Sequence, residues 1–458
     1  MCERRLLFVA HEFPPCGGTS VRRAIKIVKY LSRYGWQIFV LTPRHGDHSI
    51  YRTYWCDEAL ENEIPKDVKV IRSFTPESLR DSRPDIDYLR SDIGWKEAKW
   101  TWIFRKLIKS LKTCFLIPEG SVAWIPFAVW RGYNLIKQNQ IQIIYVTAPH
   151  FSVTLTGGIL KFFTKVSLVT EFRDAWTSDP SRIPPMKIHG LFEKWMETWV
   201  VSMSNCVICV SEGVRRDFID RYSHLSDLGK KFIFVPNGYD PEDRHYTIKS
   251  QNPKKKFCMI YTGVLGGERT PKFLLKALAK LLDIHPALRS QIEVFLVGYS
   301  SRFADGLTIQ DYIEENNLSD LVSLTGPVPR VVSLHYQAKA DLLLLIIGLI
   351  PKENSQIYGI AGKIYDYMLS ETPVLAITDS IAVTQLVNQA GIGEVVNPLD
   401  IDGISQAILR AINGEFHFNP VQDFIHQFDL KYLCQNLSDL LLQVLKVNAS
   451  SSKDFKIA

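Results

Sequence analysis

The chain lacks any uncharged apolar run of 18 residues, the length at which a hydrophobic stretch reads as a membrane-spanning helix. Its longest candidates, LLLLIIGLI (342–350) and CVICV (206–210), have the length of buried strands. The amino-terminal MCERRLLFVAHEF has too short an apolar segment for a secretory leader, so a cytoplasmic protein is the expectation. Cysteine is sparse: eight residues (Cys2, Cys16, Cys56, Cys114, Cys206, Cys209, Cys258, Cys434) are scattered along 458. Only Cys206 and Cys209 form a CxxC, inside the apolar NCVICVS with no second pair nearby, which favours core packing over metal or redox chemistry. No metal site and no cofactor are expected. Charge excess is also small, 54 Lys and Arg against 48 Asp and Glu, or +6. That excess does not argue for a nucleic-acid partner, but anionic ligands or an anionic membrane remain compatible with it. GxGxxG is absent as well, which weakens a dinucleotide oxidoreductase reading, and no repeat of solenoid period occurs.

What is present is material for two cores. A chain of 458 residues exceeds the ceiling of about 250–300 for one hydrophobic core, and 46% hydrophobic with 22% charged residues is a globular composition. From the amino terminus, strand-like LLFVA (6–10), helix-like SVRRAIKIVKYLSRYG (20–35) and strand-like QIFVLT (37–42) form a βαβ unit. Ala24, Ile27, Val28 and Leu31 line one helix face, and Gly35 suits its carboxyl cap. Strands are then expected at 68–73, 141–148, 166–172, 205–211 and 232–238. The polar, basic stretch 243–256 reads as a linker, after which the alternation restarts with FCMIYTG (257–263), QIEVFLVG (291–298), VSLTG (322–326), DLLLLII (341–347) and PVLAIT (373–378). Strands alternating with helices predict a mostly parallel sheet covered on both faces. The expected domains are therefore 1–242, completed by a closing helix at 428–446, and 257–427, with 447–458 as a tail.

Two segments look built to hold negatively charged oxygen, and two domains facing one another across a ligand cleft would be the simplest way to use both. In HEFPPCGGTSVRRA (11–24), Gly17 and Gly18 lie between a strand and a helix amino terminus, where backbone can approach a phosphate or sugar, and Arg22 and Arg23 follow in the first helical turns. A plain βα turn explains the same glycines. In AGKIYDYMLSETPVLAI (361–377), Lys363 and Asp366 share a helix face running into a buried strand, and a solvated Lys–Asp pair is the alternative. Between them, EFRDAWT puts Glu171, Arg173 and Asp174 at a strand end, with Asp174 the best candidate for proton handling. His150, after YVTAP, and His11 hold similar positions, where capping or packing is the plainer role. WKEAKWTWIFRKLIKSLKTCFLIPE (95–119) reads as a basic amphipathic helix that would either face the core or, through 95–116, touch a membrane peripherally.

These motifs, together with AWIPFAV (123–129), VPNGYD (235–240) and YTGVLGGERTP (261–271), occur in the order seen in GT-B glycosyltransferases, and the chain resembles glycosyltransferase family 4 over most of residues 4–446. The resemblance implies two doubly wound Rossmann-like domains facing a central cleft. The amino-terminal domain would take the acceptor and the carboxyl-terminal one a nucleotide-sugar, with the sugar's configuration retained and no essential metal. It assigns donor contacts to Gly17, Gly18, Arg269, Lys363 and Asp366, acceptor positioning to His150 and Arg173, and catalysis to Asp174, Arg269 and Lys363. The sequence departs from the pattern at Val264, where an arginine is usual, and at Tyr358, which stands where the first of two glutamates is usual. A non-catalytic nucleotide- or sugar-binding partner protein is the alternative those departures raise. A glycan or lipid-linked acceptor in polysaccharide or glycolipid assembly is the expected substrate class.

Overall fold

A computed structural model describes residues 4–44, 57–76, 116–179, 182–223, 231–247, 256–266, 269–303, 305–349 and 360–451. The chain divides into two compact units, Met1–Pro236 with Cys434–Ala458, and Asn237–Leu433. In the first, the described elements run β1 (Arg4–Ala10), α1 (Thr19–Arg33), β2 (Trp36–Pro43), β3 (Lys69–Ser73), α2 (Ile125–Asn139), β4 (Ile143–Ala148), α3 (Ser152–Thr164), β5 (Ser167–Phe172), α4 (Lys187–Met203), β6 (Cys206–Cys209), α5 (Glu212–Tyr222) and β7 (Phe232–Phe234). In the second they run β8 (Phe257–Thr262), α6 (Lys272–Ile284), β9 (Ile292–Val297), α7 (Ile309–Glu315), β10 (Val322–Gly326), α8 (Arg330–Lys339), β11 (Leu342–Gly348), α9 (Lys363–Leu369), β12 (Val374–Thr378), α10 (Ile381–Ala390), β13 (Gly393–Val396), α11 (Ile401–Ile412) and α12 (Gln422–His426). A last helix, α13 (Leu430–Ser451), closes the described chain.

Both sheets are wholly parallel, in the orders β3-β2-β1-β4-β5-β6-β7 and β10-β9-β8-β11-β12-β13. Successive side chains of a strand point to opposite faces, so a sheet covered on both sides needs apolar residues at every position. The second sheet shows this directly. Met259, Tyr261 and Leu344 join one core with Leu274, Leu278 and Leu281 of α6, while Cys258, Ile260, Leu343 and Leu345 join the other with Ile364 and Met368 of α9. In the first unit, Leu7, Val9, Leu41, Ile144 and Val146 pack beneath Ala128 and Leu135 of α2 and Val153 and Leu160 of α3. Cys206 and Cys209 are buried free thiols in β6, pushed up to about 12 and higher respectively by burial, which suits packing rather than reactivity.

The anticipated stripe Ala24, Ile27, Val28 and Leu31 is fully inward, and Gly35 follows α1 with φ 83°. β7 stops at Phe234 and β6 at Cys209, shorter than the apolar runs that announced them. β13 was not anticipated, since only four residues form it and three are half-buried. The stretch expected as a linker opens in a 3-10 helix, Pro241–Tyr246, that packs against α8, and residues 248–255 lie outside the described set, as do 95–115 of the basic amphipathic segment and Tyr358. Among the described residues no helix is long and apolar enough to cross a membrane.

Candidate functional site

In each sheet the strand order reverses once, between β1 and β4 and between β8 and β11. Loops leaving the carboxyl ends of strands part at such a point and leave room for a ligand.

At the first reversal, β1 is followed by His11 and Glu12 and then by Gly17 and Gly18. Gly18 is exposed, has φ 101°, and precedes α1 at a position where no side chain caps the helix. Arg23 turns the other way. Its Nε and Nη2 donate to Glu171 Oε1 at 2.9 and 2.7 Å, its Nη1 to the Pro236 carbonyl at 2.7 Å and its Nη2 to the Val235 carbonyl at 3.0 Å. Glu171, fully buried, also accepts from Tyr145 at 2.9 Å and Thr147 at 2.6 Å. Burial alone would raise the Glu171 carboxyl, but the Arg23 charge and the hydrogen bonds from Arg23 and Thr147 hold it below its ordinary value. Burial, together with the same carboxylate, pushes the Tyr145 hydroxyl well up. Arg23 and Glu171 thus form an internal brace joining α1, β4, β5 and the chain after β7, and the anion role considered for Arg23 is corrected to a structural one.

Above that brace, His150 sits at φ 61° with Nδ1 3.2 Å from Ser121 Oγ, Nε2 3.5 Å from Glu12 Oε1, and its ring stacked on His11 at 4.0 Å. Arg173 donates from Nε to the Ala148 carbonyl at 2.9 Å. Burial lowers its guanidinium, and the charges of Glu171, Asp174 and Glu12 offset part of that. Asp174 is exposed. The structure therefore gathers His150, Arg173 and Asp174 and adds Glu12, Ser121 and the stacked His11. Glu12 and Ser121 carried no signal in the sequence beyond lying inside or beside quoted motifs, because their partners come from other strand ends.

In the second unit, the Lys363 ammonium donates to Tyr261 Oη at 2.5 Å and lies 3.7 Å from that ring's centroid. Gly263 follows β8 with φ 130°, and a Cβ there would fall 2.7 Å from Lys363 Nζ. A Cβ on Gly298 would fall 2.0 Å from the Gly263 carbonyl oxygen, so that position admits only glycine without a shift of the loop, whereas at Gly263 the positive φ favours glycine and the Lys363 side chain would have to move. Burial pushes the Tyr261 hydroxyl far up, so it stays protonated, and the Arg269 charge acts on it in the opposite sense. Arg269 itself is exposed, in a short bridge with Gly266. Lys363 and Arg269 are thus brought to the same strand end. Next to them a cavity of about 200 Å³ is lined by Gly263, Gly298, Tyr299, Ile309, Leu324 and Pro327, among others. With seven residues, α9 adds little dipole, and the ammonium is the main local charge.

Asp366 is engaged by Arg330. Both its oxygens accept from Arg330, at 2.8 Å each, and Arg330 also donates to Asp243 at 2.9 Å. Burial would lower the Arg330 guanidinium, but these two carboxylates raise it. An Asp366 contact to adjacent hydroxyls would compete with a bidentate pair already formed. Arg330 escaped notice in the sequence because it merely opens a helix after GPVP.

Residues 20–243 match the model of Glycosyltransferase Family 4. A D-inositol 3-phosphate glycosyltransferase of Thermobifida fusca is 27% identical over 126 residues, 27% of this chain and 27% of that protein, so the match spans little more than a quarter of that relative's length. Among solved structures, sucrose-phosphate synthase of Thermosynechococcus elongatus superposes with a TM-score of 0.63 at 13% identity, covering 97% of this chain and 100% of that one. HepE of Anabaena, in complex with UDP and glucose, gives 0.61 at 16% identity, covering 96% and 100%. The fold is GT-B, built of two Rossmann-like units. Within it, residues 20–243 are the stretch that is similar to Glycosyltransferase Family 4.

Proposed function

We propose that the protein is a glycosyltransferase that carries a sugar from a nucleotide-sugar to a hydroxyl acceptor in polysaccharide or glycolipid assembly. The observation that carries this is the Lys363 ammonium held on Tyr261 against the backbone of Gly263, beside the 200 Å³ cavity. The cavity's apolar walls and backbone amides suit a planar base, and Lys363 with Arg269 suits a diphosphate. In the transfer, the bond from the anomeric carbon to the diphosphate oxygen breaks and one to the acceptor oxygen forms, with retained configuration. The acceptor's proton passes to the departing phosphate oxygen. Charge grows on the diphosphate as it leaves, so fixed cations there stabilise the transition state more than the ground state, and no essential metal is invoked. His150, Glu12, Arg173 and Asp174 form the acceptor side, where Asp174 orients the hydroxyl. UDP bound to HepE, a neighbour of the same fold, makes a uridine nucleotide the first donor to try.

Thermal shift against a panel of nucleoside diphosphates, followed by hydrolysis of the matching nucleotide-sugar, tests the reading. One diphosphate should raise Tm, and Lys363→Met should weaken it by roughly tenfold to a hundredfold, the worth of one hydrogen bond to a charged group. Asp174→Asn should cut turnover while leaving diphosphate affinity unchanged. If no diphosphate shifts Tm the proposal fails. If one does but wild type turns over no donor, the protein is a binding module.

A further inference from the structure

We infer that α4 is a docking surface for an anionic lipid bilayer. Ile188, Leu191, Phe192 and Trp195 recur at the spacing that normally buries one face of a helix, yet all four face solvent, Leu191 and Trp195 at 67% and 64% exposure. The opposite face is the one that meets the core, through His189, Val200 and Val201.

The charges on α4 are sorted in the same way. Lys187 and Lys194 are exposed along one flank of the apolar stripe, whereas the helix's carboxylates are half-buried at Glu193 and buried at Glu197. Glu193 accepts from Trp176 Nε1 at 3.0 Å and pairs with Arg182, and Glu197, wholly buried, accepts from Tyr222 at 2.7 Å and from Thr177, and pairs with Arg221. The outward face thus offers aliphatic and aromatic groups with positive charge and no exposed carboxylate of the helix. Such a face complements a bilayer carrying negative headgroups, into which an interfacial helix settles by roughly 5–10 Å.

Placement gives the surface a use. The Trp176–Glu193 hydrogen bond fastens the amino-terminal half of α4 to the loop that bears Arg173 and Asp174. Docking would bring that loop to the headgroup level, where a hydroxyl on a lipid-linked acceptor lies. The docking itself does not depend on the transfer reaction proposed above.

Co-sedimentation of the full chain with phosphatidylcholine vesicles, with and without phosphatidylglycerol, tests this. Wild type should pellet with the anionic vesicles and far less with neutral ones. Lys187→Gln with Lys194→Gln should weaken partitioning about tenfold or more, given the attraction each basic residue feels at such a surface. Leu191→Ser with Phe192→Ser and Trp195→Ser should abolish it. All variants should keep the wild-type Tm and the wild-type diphosphate response, which separates failure of docking from failure of the fold or of the donor reading. The inference is overturned if wild type ignores anionic vesicles or if either variant pellets as wild type does. It is also overturned if light scattering shows a wild-type dimer that the apolar variant dissolves, because the face then serves a second copy.

Discussion

Each unit buries an arginine against carboxylate where helices leave the carboxyl edge of its sheet, but the two clusters are balanced differently. In the first, Arg23 gives two hydrogen bonds to the Glu171 carboxylate and others to the backbone carbonyls of Val235 and Pro236. In the second, Arg330 meets two, with Asp366 bidentate and Asp243 on a single nitrogen. One-to-one pairing concentrates the electrostatics in a single bond pair. Two-to-one pairing shares it, so that Asp366 has a stand-in in Asp243. The same chemistry is therefore a brace in one unit and a buffered junction in the other.

The sharpest way to break this comparison is Glu171→Gln. Leaving a buried guanidinium without its carboxylate should cost about 3–5 kcal/mol, read as a lower urea midpoint. The pH dependence follows from the same pair. The folded-state pKa of Glu171 lies below its ordinary 4.5, so its stabilisation is fully present above that value and is lost as the pH falls through the lower folded value. Tm should therefore drop with acid more steeply in wild type than in Glu171→Gln, and equal slopes would show that the pair adds nothing.

Asp366→Asn should cost less, about 1–3 kcal/mol, because Asp243 still faces Arg330. Its second readout matters more. If nucleoside diphosphate affinity falls as far as in Lys363→Met while Tm holds, Asp366 reaches the ligand after all, and the junction is a binding site. Smallest in stability is Gly263→Ala, about 1 kcal/mol for forcing a side chain into positive φ. Its Cβ would meet the Lys363 ammonium, so diphosphate binding should weaken by more than that stability change suggests, as read by titration calorimetry.

The βα alternation was legible because parallel strands buried on both faces must be apolar throughout, as LLFVA and DLLLLII are. Helix ends were legible where one residue type has few substitutes, as at Gly35. The short edge strand β13 was not, since half-buried positions tolerate polar residues and blur the pattern. Lys363 was singled out by local context, and its placement on Tyr261 required the strand 102 residues earlier. Arg23 and Glu171 were both noticed, each as a contact for something outside the chain. Nothing local revealed that they face one another.

By itself, then, the sequence determined two doubly wound units, the glycine turn at 17 and 18, and a lysine at the start of a helix that runs into a buried strand. Those depend on period, composition and backbone freedom, which act over a few residues. Only the tertiary structure decided which charges are consumed inside and which are presented. Arg23 and Glu171 stand 148 residues apart, and Arg330 and Asp366 stand 36 apart. A buried charge must find its counter-charge wherever the fold brings one, because leaving it unpaired costs more than a local contact returns. The outward apolar face of α4 is the converse case, since Ile188, Leu191, Phe192 and Trp195 have the spacing of a core face and only their exposure in the fold shows that they are presented to solvent.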